Sequence, residues 1–200
     1  MSARRQSVPE ALLEAIGESV HAHGASALSL RDVARRVGVS HAAPAHFFKN
    51  KAGMLSAFAA QGFQRLADVV ADEINRSKPI DGAHALASIG RAYVRFAVSE
   101  PAQFEVMFRL DVLDATSPEL QEASDLAFRL LIATIEQCKQ EGSLGDRDEM
   151  LVALAAWSIV HGLASLWISG QLEGRIAEND IEALANAVSQ LFVDAVLDQS

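Results

Sequence analysis

Apolar residues recur every three or four positions along almost the whole chain, which is the period of an amphipathic helix. In the first 50 residues this period stops at Gly24 and Gly38 and restarts after Ser29 and Ser40. Glycine commonly ends a helix, and serine commonly caps the start of one. The pattern therefore predicts three short helices, the second capped by Ser29 and the third capped by Ser40 and running to about residue 48.

Longer helices are predicted beyond this region. Asn50 is the expected cap of a helix with one apolar stripe as far as residues 77–79, about 40 Å in length. Capping residues or first-turn prolines open the further predicted helices, over residues 81–99, 101–110, 116–141, 146–169 and 179–198. The last of these is expected to be capped by Asn179 or Asp180. No convincing alternating strand pattern and no internal repeat is present, so the predicted fold class is all-α.

The segment from Met150 to Ile168 is nearly as long and as apolar as a membrane span. Three polar residues interrupt it at helical spacing, and no second segment of this kind exists. We therefore interpret it as a helix buried on most sides of a soluble protein, without a membrane partner. Together with the segment at 179–198, which carries one apolar face, it is expected to form a four-helix bundle in a homodimer.

Composition and charge narrow the possible functions. The chain has 200 residues, of which 50% are hydrophobic and 22% charged, and Cys138 is the only cysteine. These values exclude a disordered chain and a disulfide-stapled scaffold, and with a polar N-terminus they favour the cytoplasm. The net charge of −9 is unevenly distributed, because residues 1–51 carry +3 and the remainder carries −12. A DNA-binding function therefore belongs to the N-terminal part.

The order of residues 30–40 is typical of a helix-turn-helix. Gly38 permits the positive φ angle of the turn, Val39 is placed to pack between two helices, and Ser40 leaves the start of the next helix facing outward. A plain helical hairpin has the same outline. The local excess of basic residues favours DNA binding over that alternative.

Several motifs of the chain resemble the tetracycline-repressor (TetR) family of bacterial regulators. The likeness covers about residues 8–65 and is carried by Ser29-Leu30-Arg31-Asp32-Val33-Ala34, Gly38-Val39-Ser40 and His46-Phe47-Phe48-Lys49-Asn50-Lys51, followed by Met54-Leu55. A second motif resembles the Trp-His-Gly signature of one branch, at Trp157, His161 and Gly162. The resemblance implies an all-helical homodimer that binds palindromic operator DNA and releases it when a small molecule binds.

Two positions depart from the family pattern. Ala45 stands where the family usually has a tyrosine that contacts phosphate, so this contact is absent or passes to His46. Pro44 falls within the recognition helix, where proline removes a backbone donor and disfavours helix at the residue before it. We expect the helix to tolerate a proline near its first turn but to start irregularly.

We assign the candidate DNA contacts by position. His41, Ala42, Ala43 and Ala45 are expected to face the major groove, where histidine and small apolar groups read bases and shape. The groups expected to contact phosphate are Ser29, Arg31, Ser40 and Lys51. Arg4 and Arg5 fit either an arm in the minor groove or a solvated tail. Phe47 and Phe48 are predicted to belong to the core.

The candidate effector site lies in the C-terminal part. An apolar pocket with few polar groups is the usual form of a small-molecule site. The residues predicted to line it are aromatic, apart from one methionine and one polar histidine: Phe96, Phe104, Met107, Phe108, Phe128, Trp157 and His161. Such residues more often form plain core, and that alternative stays open. Glu105 and Arg109 are interpreted as a surface ion pair, and Cys138 as unreactive packing.

We expect no enzyme activity, cofactor or metal. Common catalytic and nucleotide-binding motifs are missing from the sequence, and the six histidines do not form a spaced cluster with cysteines or carboxylates. The overall prediction is a ligand-responsive repressor, with a DNA-binding domain at residues 1–50 and a ligand-binding and dimerisation domain at residues 51–200. The alternative is an all-helical interaction or carrier protein that does not bind DNA.

Overall fold

The computed structural model describes residues 7–176 and 180–197, and the secondary structure of these residues is helical, without strands. A 3-10 turn at Ala25–Ala27 lies between the first two helices. The nine described α-helices are α1 (Val8–His23), α2 (Leu30–Val37), α3 (Ala43–Phe48), α4 (Lys51–Ser77), α5 (Gly82–Ser99), α6 (Pro101–Met107), α7 (Pro118–Gln140), α8 (Glu149–Ile168) and α9 (Ile181–Val196). The all-α prediction is confirmed.

The chain divides into two compact units. The first comprises the residues up to 63 together with residues 100–124, and the second comprises residues 64–99 together with those from 125 onward. The 27 residues of α4 therefore contribute to both units. Arg4, Arg5 and Asn179, which the sequence reading considered, lie outside the described residues.

The core of the first unit is formed by the apolar faces of α1, α2 and the start of α4. Leu12, Ile16, Val33, Met54 and Leu55 are all no more than 1% exposed. These are the helically spaced apolar positions of the sequence, so burial of that stripe holds the helices together. The short helices α3 and α6 each pack against α1.

The turn between α2 and α3 has the geometry of a Schellman motif. Gly38 is left-handed, with φ 77° and ψ 28°, as the turn requires. Its N–H donates to the carbonyl of Arg35 at 3.2 Å, and the Val39 N–H donates to the carbonyl of Ala34 at 3.0 Å. The expected glycine stop of α2 is therefore confirmed, together with the cap at its start, where the Ser29 hydroxyl accepts from the Asp32 N–H.

The expected start of α3 was wrong. Ser40 does not cap the helix, which begins at Ala43 after Ala42 and has no side-chain cap. Pro44 accounts for the difference, because proline is tolerated only in the first turn, where its missing N–H is not needed. The later start makes α3 only six residues long, and Pro44 is buried against the unit.

The junction from α3 to α4 is unusually tight. Lys49 has φ 65° and ψ −57°, and the Asn50 N–H donates to the carbonyl of Phe48 at 2.7 Å, which together form a γ-turn of the rare positive-φ type. The Asn50 side chain caps α4 as predicted, accepting from the Gly53 N–H at 2.8 Å. A Cβ at Gly53 would lie 2.3 Å from the Phe48 carbonyl oxygen, so this position requires glycine.

In the second unit α5 packs against both α8 and α9. The core residues they share with α7 and the adjoining segments are Leu86, Ala87, Ile135, Cys138, Leu144, Val152, Ala153, Ala156, Phe192, Val193 and Leu197. The predicted cap of the last helix is confirmed at Asp180, whose carboxylate accepts from two backbone N–H groups. The largest differences from the predicted bounds are in two helices: α6 ends at Met107, and α8 begins at Glu149 with Asp148 as its cap.

A buried carboxylate joins α4, α5 and α9 within the second unit. The Glu73 side chain is 7% exposed and pairs with Arg76, with Arg95 at 3.0 Å and with Arg91 at 3.9 Å. Arg95 also contacts Glu182 of α9 at 3.1 Å. Burial acts to raise the pKa of Glu73, but the hydrogen bonds and charges of Arg76 and Arg95 outweigh it and hold the pKa below its usual value.

The helix α8 is less buried than the sequence reading expected. It is the one described helix long and apolar enough to cross a membrane, with mean hydropathy 1.8, yet only 28% of its most apolar stretch is buried. One side packs on α5 and α9, while Leu151, Leu154 and Leu166 are between 41 and 67% exposed. The single chain therefore leaves exposed an apolar face of the helix for which a homodimer bundle was predicted.

Candidate functional site

The surface formed by α2, the turn and α3 contains the predicted DNA contacts. His41, Ala42, Ala45 and His46 are exposed, as are Arg31 and Ser40, whereas Ser29, Ala43 and Lys51 are half-buried. The short side chains at 42, 43 and 45 leave the backbone of α3 accessible to a surface of complementary shape. The structure thus brings the predicted contacts onto one region of the first unit.

The arginine and lysine side chains of this region differ in their ion-pair and hydrogen-bond partners. Arg35 pairs with Asp32 at 2.8 Å, and Arg36 pairs with Glu18 of α1 at 2.7 Å. Arg31 has no ion-pair partner among residues 7–176 and 180–197, so its guanidinium is available to a phosphate. The Lys51 ammonium donates to the backbone carbonyl of Ser26 at 2.7 Å and thereby ties the start of α4 to the 3-10 turn.

Phe47 does not belong to the core, contrary to the prediction. It is 44% exposed, and its ring meets the His46 ring edge-on, with centroids 5.0 Å apart and an angle of 75° between the planes. Phe48 is half-buried. Pro44 and Phe48 are four residues apart and share the inner side of α3, whereas Phe47 lies about 100° around the helix axis from Phe48.

The end of α6 is fastened to the 3-10 turn of the same unit. The Glu105 carboxylate accepts from the Ala25 N–H at 3.3 Å, and the Arg109 guanidinium donates to the Ser26 hydroxyl at 3.3 Å. Arg109 forms its short ion pair with Asp111, at 2.7 Å through two nitrogens, and lies 3.9 Å from Glu105. The expected pair exists, but Asp111 is the closer partner.

Within the second unit an aromatic cluster joins α5, α7 and α8. Trp157 and His161, four residues apart on α8, both reach Tyr93 of α5. The Trp157 indole N–H donates to the Tyr93 oxygen at 3.2 Å, and the Tyr93 oxygen lies 2.9 Å from His161 Nδ1. Phe128 of α7 packs on Trp157 with ring centroids 6.1 Å apart. The cluster therefore combines an apolar lining with one polar chain.

The hydrogen bonds of this cluster suggest which protons its groups hold. Burial raises the pKa of Tyr93 well above its usual value and lowers the pKa of His161, so both groups are neutral near pH 7. An indole N–H only donates, so the Tyr93 oxygen accepts from Trp157 and its hydroxyl donates to His161 Nδ1. In that arrangement Nε2 of His161 carries the proton and acts as a hydrogen-bond donor.

The seven predicted effector residues are divided between the two units. Phe104, Met107 and Phe108 lie in the first, where Phe108 contacts Phe104 and Phe63 edge-on at 5.4 and 5.5 Å. Phe96, Phe128, Trp157 and His161 lie in the second, with Phe96 only 2% exposed.

Tyr93 adds to the interpretation made from the sequence, whereas Cys138 agrees with it. Tyr93 was missed, although it is the only tyrosine of the chain and lies on an apolar helix, where a buried hydroxyl needs a polar partner. Cys138 is fully buried, and burial with the nearby Glu141 raises its pKa to about 11. A thiol with this pKa forms little thiolate at pH 7, in agreement with the interpretation of Cys138 as packing.

Both parts of the chain match profiles of one family. Residues 12–58 match the profile described as bacterial regulatory proteins of the tetR family. Residues 86–192, more than half of the chain, match the profile described as the tetracyclin repressor-like C-terminal domain. No curated protein matches the chain in sequence.

Solved structures share the fold over nearly the full chain. A protein of unknown function from Rhodococcus sp. RHA1 is 27% identical, with a TM-score of 0.83 and all of both chains covered. A bacterial regulatory protein in the tetR family from Rhodococcus RHA1 is 18% identical, with a TM-score of 0.77 and 98 and 100% of the two chains covered. The TetR family transcriptional regulator PfmR from Thermus thermophilus is 21% identical, with a TM-score of 0.71 and 92 and 97% covered.

Proposed function

The chain belongs to the tetracycline-repressor family of DNA-binding transcriptional regulators, and we propose that it is a repressor that releases palindromic operator DNA when a small, largely apolar effector binds. The observation that carries this proposal is the exposed α3 after a Schellman turn at Gly38, beside an exposed Arg31. The proposed domains are residues 1–50 for DNA and residues 51–200 for effector binding and dimerisation, in a protein that acts in the cytoplasm.

The charge distribution supports DNA binding by the first unit in spite of the net charge of −9. The N-terminal 51 residues carry +3, and Arg31 is exposed in the first turn of α2. Cations that neutralise phosphates release condensed counterions, so the affinity depends strongly on salt. The proposed phosphate contacts are Ser29, Arg31, Ser40 and Lys51, with His46 as the candidate for the phosphate contact that Ala45 cannot make. The proposed groove contacts are His41, Ala42, Ala43 and Ala45.

We expect Arg31→Ala to weaken binding to all DNA sequences about equally and to lower the slope of log affinity against log salt by about 1, because one phosphate contact is lost. His41→Ala should instead change the base preference. Fluorescence anisotropy with labelled duplexes at several salt concentrations measures both effects. Arg129→Ala, which removes an exposed arginine from the second unit, is the matched control. Unchanged affinity and preference in both test variants would contradict the proposed DNA surface and favour a carrier protein.

We propose that a second copy of the chain covers the exposed face of α8, together with Leu191 of α9, which is 69% exposed. This face is apolar and carries no Asp, Glu, Lys or Arg between Met150 and Ile168. Near its middle, no other atom lies within 4 Å of the place where a Cβ of Gly162 would be, which leaves room for a partner helix. Two copies of α8 and α9 would form a four-helix bundle that presents two recognition helices to a palindrome.

Leu151→Glu combined with Leu191→Glu should give a folded monomer, because both side chains are already exposed in the single chain and only the interface is charged. Light scattering at micromolar concentration measures the mass, and circular dichroism checks the fold. Ile80→Glu, at an 83% exposed position of the same unit, is the control and should remain dimeric. A monomeric wild-type protein, or a dimeric double variant, would show that this face is not the interface.

We propose that the effector binds at the cluster of Tyr93, Phe128, Trp157 and His161, with Phe96 in the supporting core. The hydrogen-bonded groups of Trp157, Tyr93 and His161 lie within aromatic surroundings, a combination suited to a largely apolar molecule with few polar groups. The other predicted lining residues, Phe104, Met107 and Phe108, lie in the first unit and stay proposed as effector contacts of that unit. An effector that binds the DNA-free form more tightly than the DNA-bound form weakens operator binding. The operator loses a binding free energy equal to the difference between the two effector affinities, commonly about 1–3 kcal/mol.

A Trp167→Phe background leaves Trp157 as the only indole, so its fluorescence reports on the cluster. We expect apolar probes with one carbonyl group to change this emission, and to weaken operator binding at saturation. His161→Ala in the same background should weaken probe binding about tenfold, because it removes the hydrogen-bonding ring from the cluster. DNA affinity without probe should stay unchanged, since His161 lies outside the first unit. A probe that saturates Trp157 without altering operator affinity would show that the two sites are uncoupled.

A further inference from the structure

The recognition helix lacks the side chains that read guanine or adenine most specifically. Residues 41–48 contain three alanines, two histidines, two phenylalanines and a proline. Bidentate contacts to guanine need arginine or lysine, and those to adenine need asparagine or glutamine. Any base discrimination by residues 41–48 must therefore come from their two histidines and from apolar contacts.

Phe47 is the large apolar group that the outward side of α3 offers. Helical spacing places Pro44 and Phe48 on the inner side and His46 opposite them, and Pro44 is accordingly buried. Phe47 lies beside His46 and remains 44% exposed, with the His46 ring edge-on at 5.0 Å. The alanines at 42, 43 and 45 are too short to reach as far from the helix axis.

The chemistry of a phenyl ring restricts what it reads. The ring neither donates nor accepts a conventional hydrogen bond, and the apolar feature on base edges in the major groove is the C5-methyl group of thymine. We propose that Phe47 is a specificity residue that packs on a thymine methyl group of the operator, with His46 holding the ring in place. This inference rests on the proposed function, since it presupposes that α3 enters a major groove.

The test begins with an operator duplex selected from random DNA by the wild-type protein. Each thymine of that duplex is then replaced in turn by uracil, which removes only the methyl group. We expect uracil at one or two symmetry-related positions to weaken wild-type binding about threefold to tenfold. Phe47→Ala should bind the thymine duplex about as weakly as the wild type binds the uracil duplex. It should no longer respond to uracil at those positions, and at all other positions it should respond as the wild type does.

Two further variants complete the experiment. Phe47→Leu keeps an apolar group and should retain part of the sensitivity to uracil. Leu110→Ala removes a leucine that is 74% exposed in the same unit and should behave like the wild type. Because the ring is exposed, Phe47→Ala should remain folded, which circular dichroism and thermal unfolding check.

The inference is overturned if Phe47→Ala keeps the wild-type pattern of uracil sensitivity, or if no thymine of the operator is sensitive to replacement. Uniform loss of affinity without a change in pattern would also overturn it, since that result indicates a contact to the DNA backbone. Failure of the wild-type protein to select any sequence is a different result. It would refute the proposed function, and the role of Phe47 with it.

Discussion

The close approach of the Phe48 carbonyl oxygen to Gly53 is the constraint that fixes the recognition helix. A side chain at position 53 would place a carbon 2.3 Å from this oxygen, so the backbones of α3 and α4 meet only because glycine is present. The Asn50 cap and the positive-φ γ-turn at Lys49 complete the junction. A six-residue helix has little stability of its own, and here it receives its orientation from the first turn of α4.

Most of the helical architecture follows from local rules that the sequence displays. Glycine ends α2, serine, asparagine and aspartate cap α2, α4 and α9, and the periodic apolar residues become the core. The prediction of where α3 starts was wrong because two local rules compete at this point. Serine favours a cap at 40, whereas Pro44 is accepted only in a first turn, and the proline prevails. Phe47 is exposed because Pro44 and Phe48, four residues apart, occupy the inner side of α3.

The candidate effector cluster shows a different limit of sequence reasoning. Trp157 and His161 stand out in an apolar helix, but their common partner Tyr93 lies more than 60 residues away on α5. Hydrophobic periodicity marks the face on which a residue lies and does not identify the opposing side chain. In the same way, the apolar length of α8 indicated surface beyond the needs of one monomer but did not identify the side chains that the single chain leaves exposed.

Gly53→Ala tests most directly whether the contact between Gly53 and Phe48 orients α3 for DNA binding. The Cβ should displace α3 and weaken operator affinity about tenfold or more, measured by fluorescence anisotropy. The mass measured by light scattering should stay equal to that of the wild-type protein. Gly17→Ala is the control, because its Cβ would meet the Phe58 ring at an ordinary 3.4 Å. Wild-type operator affinity in a folded Gly53→Ala protein would contradict the account.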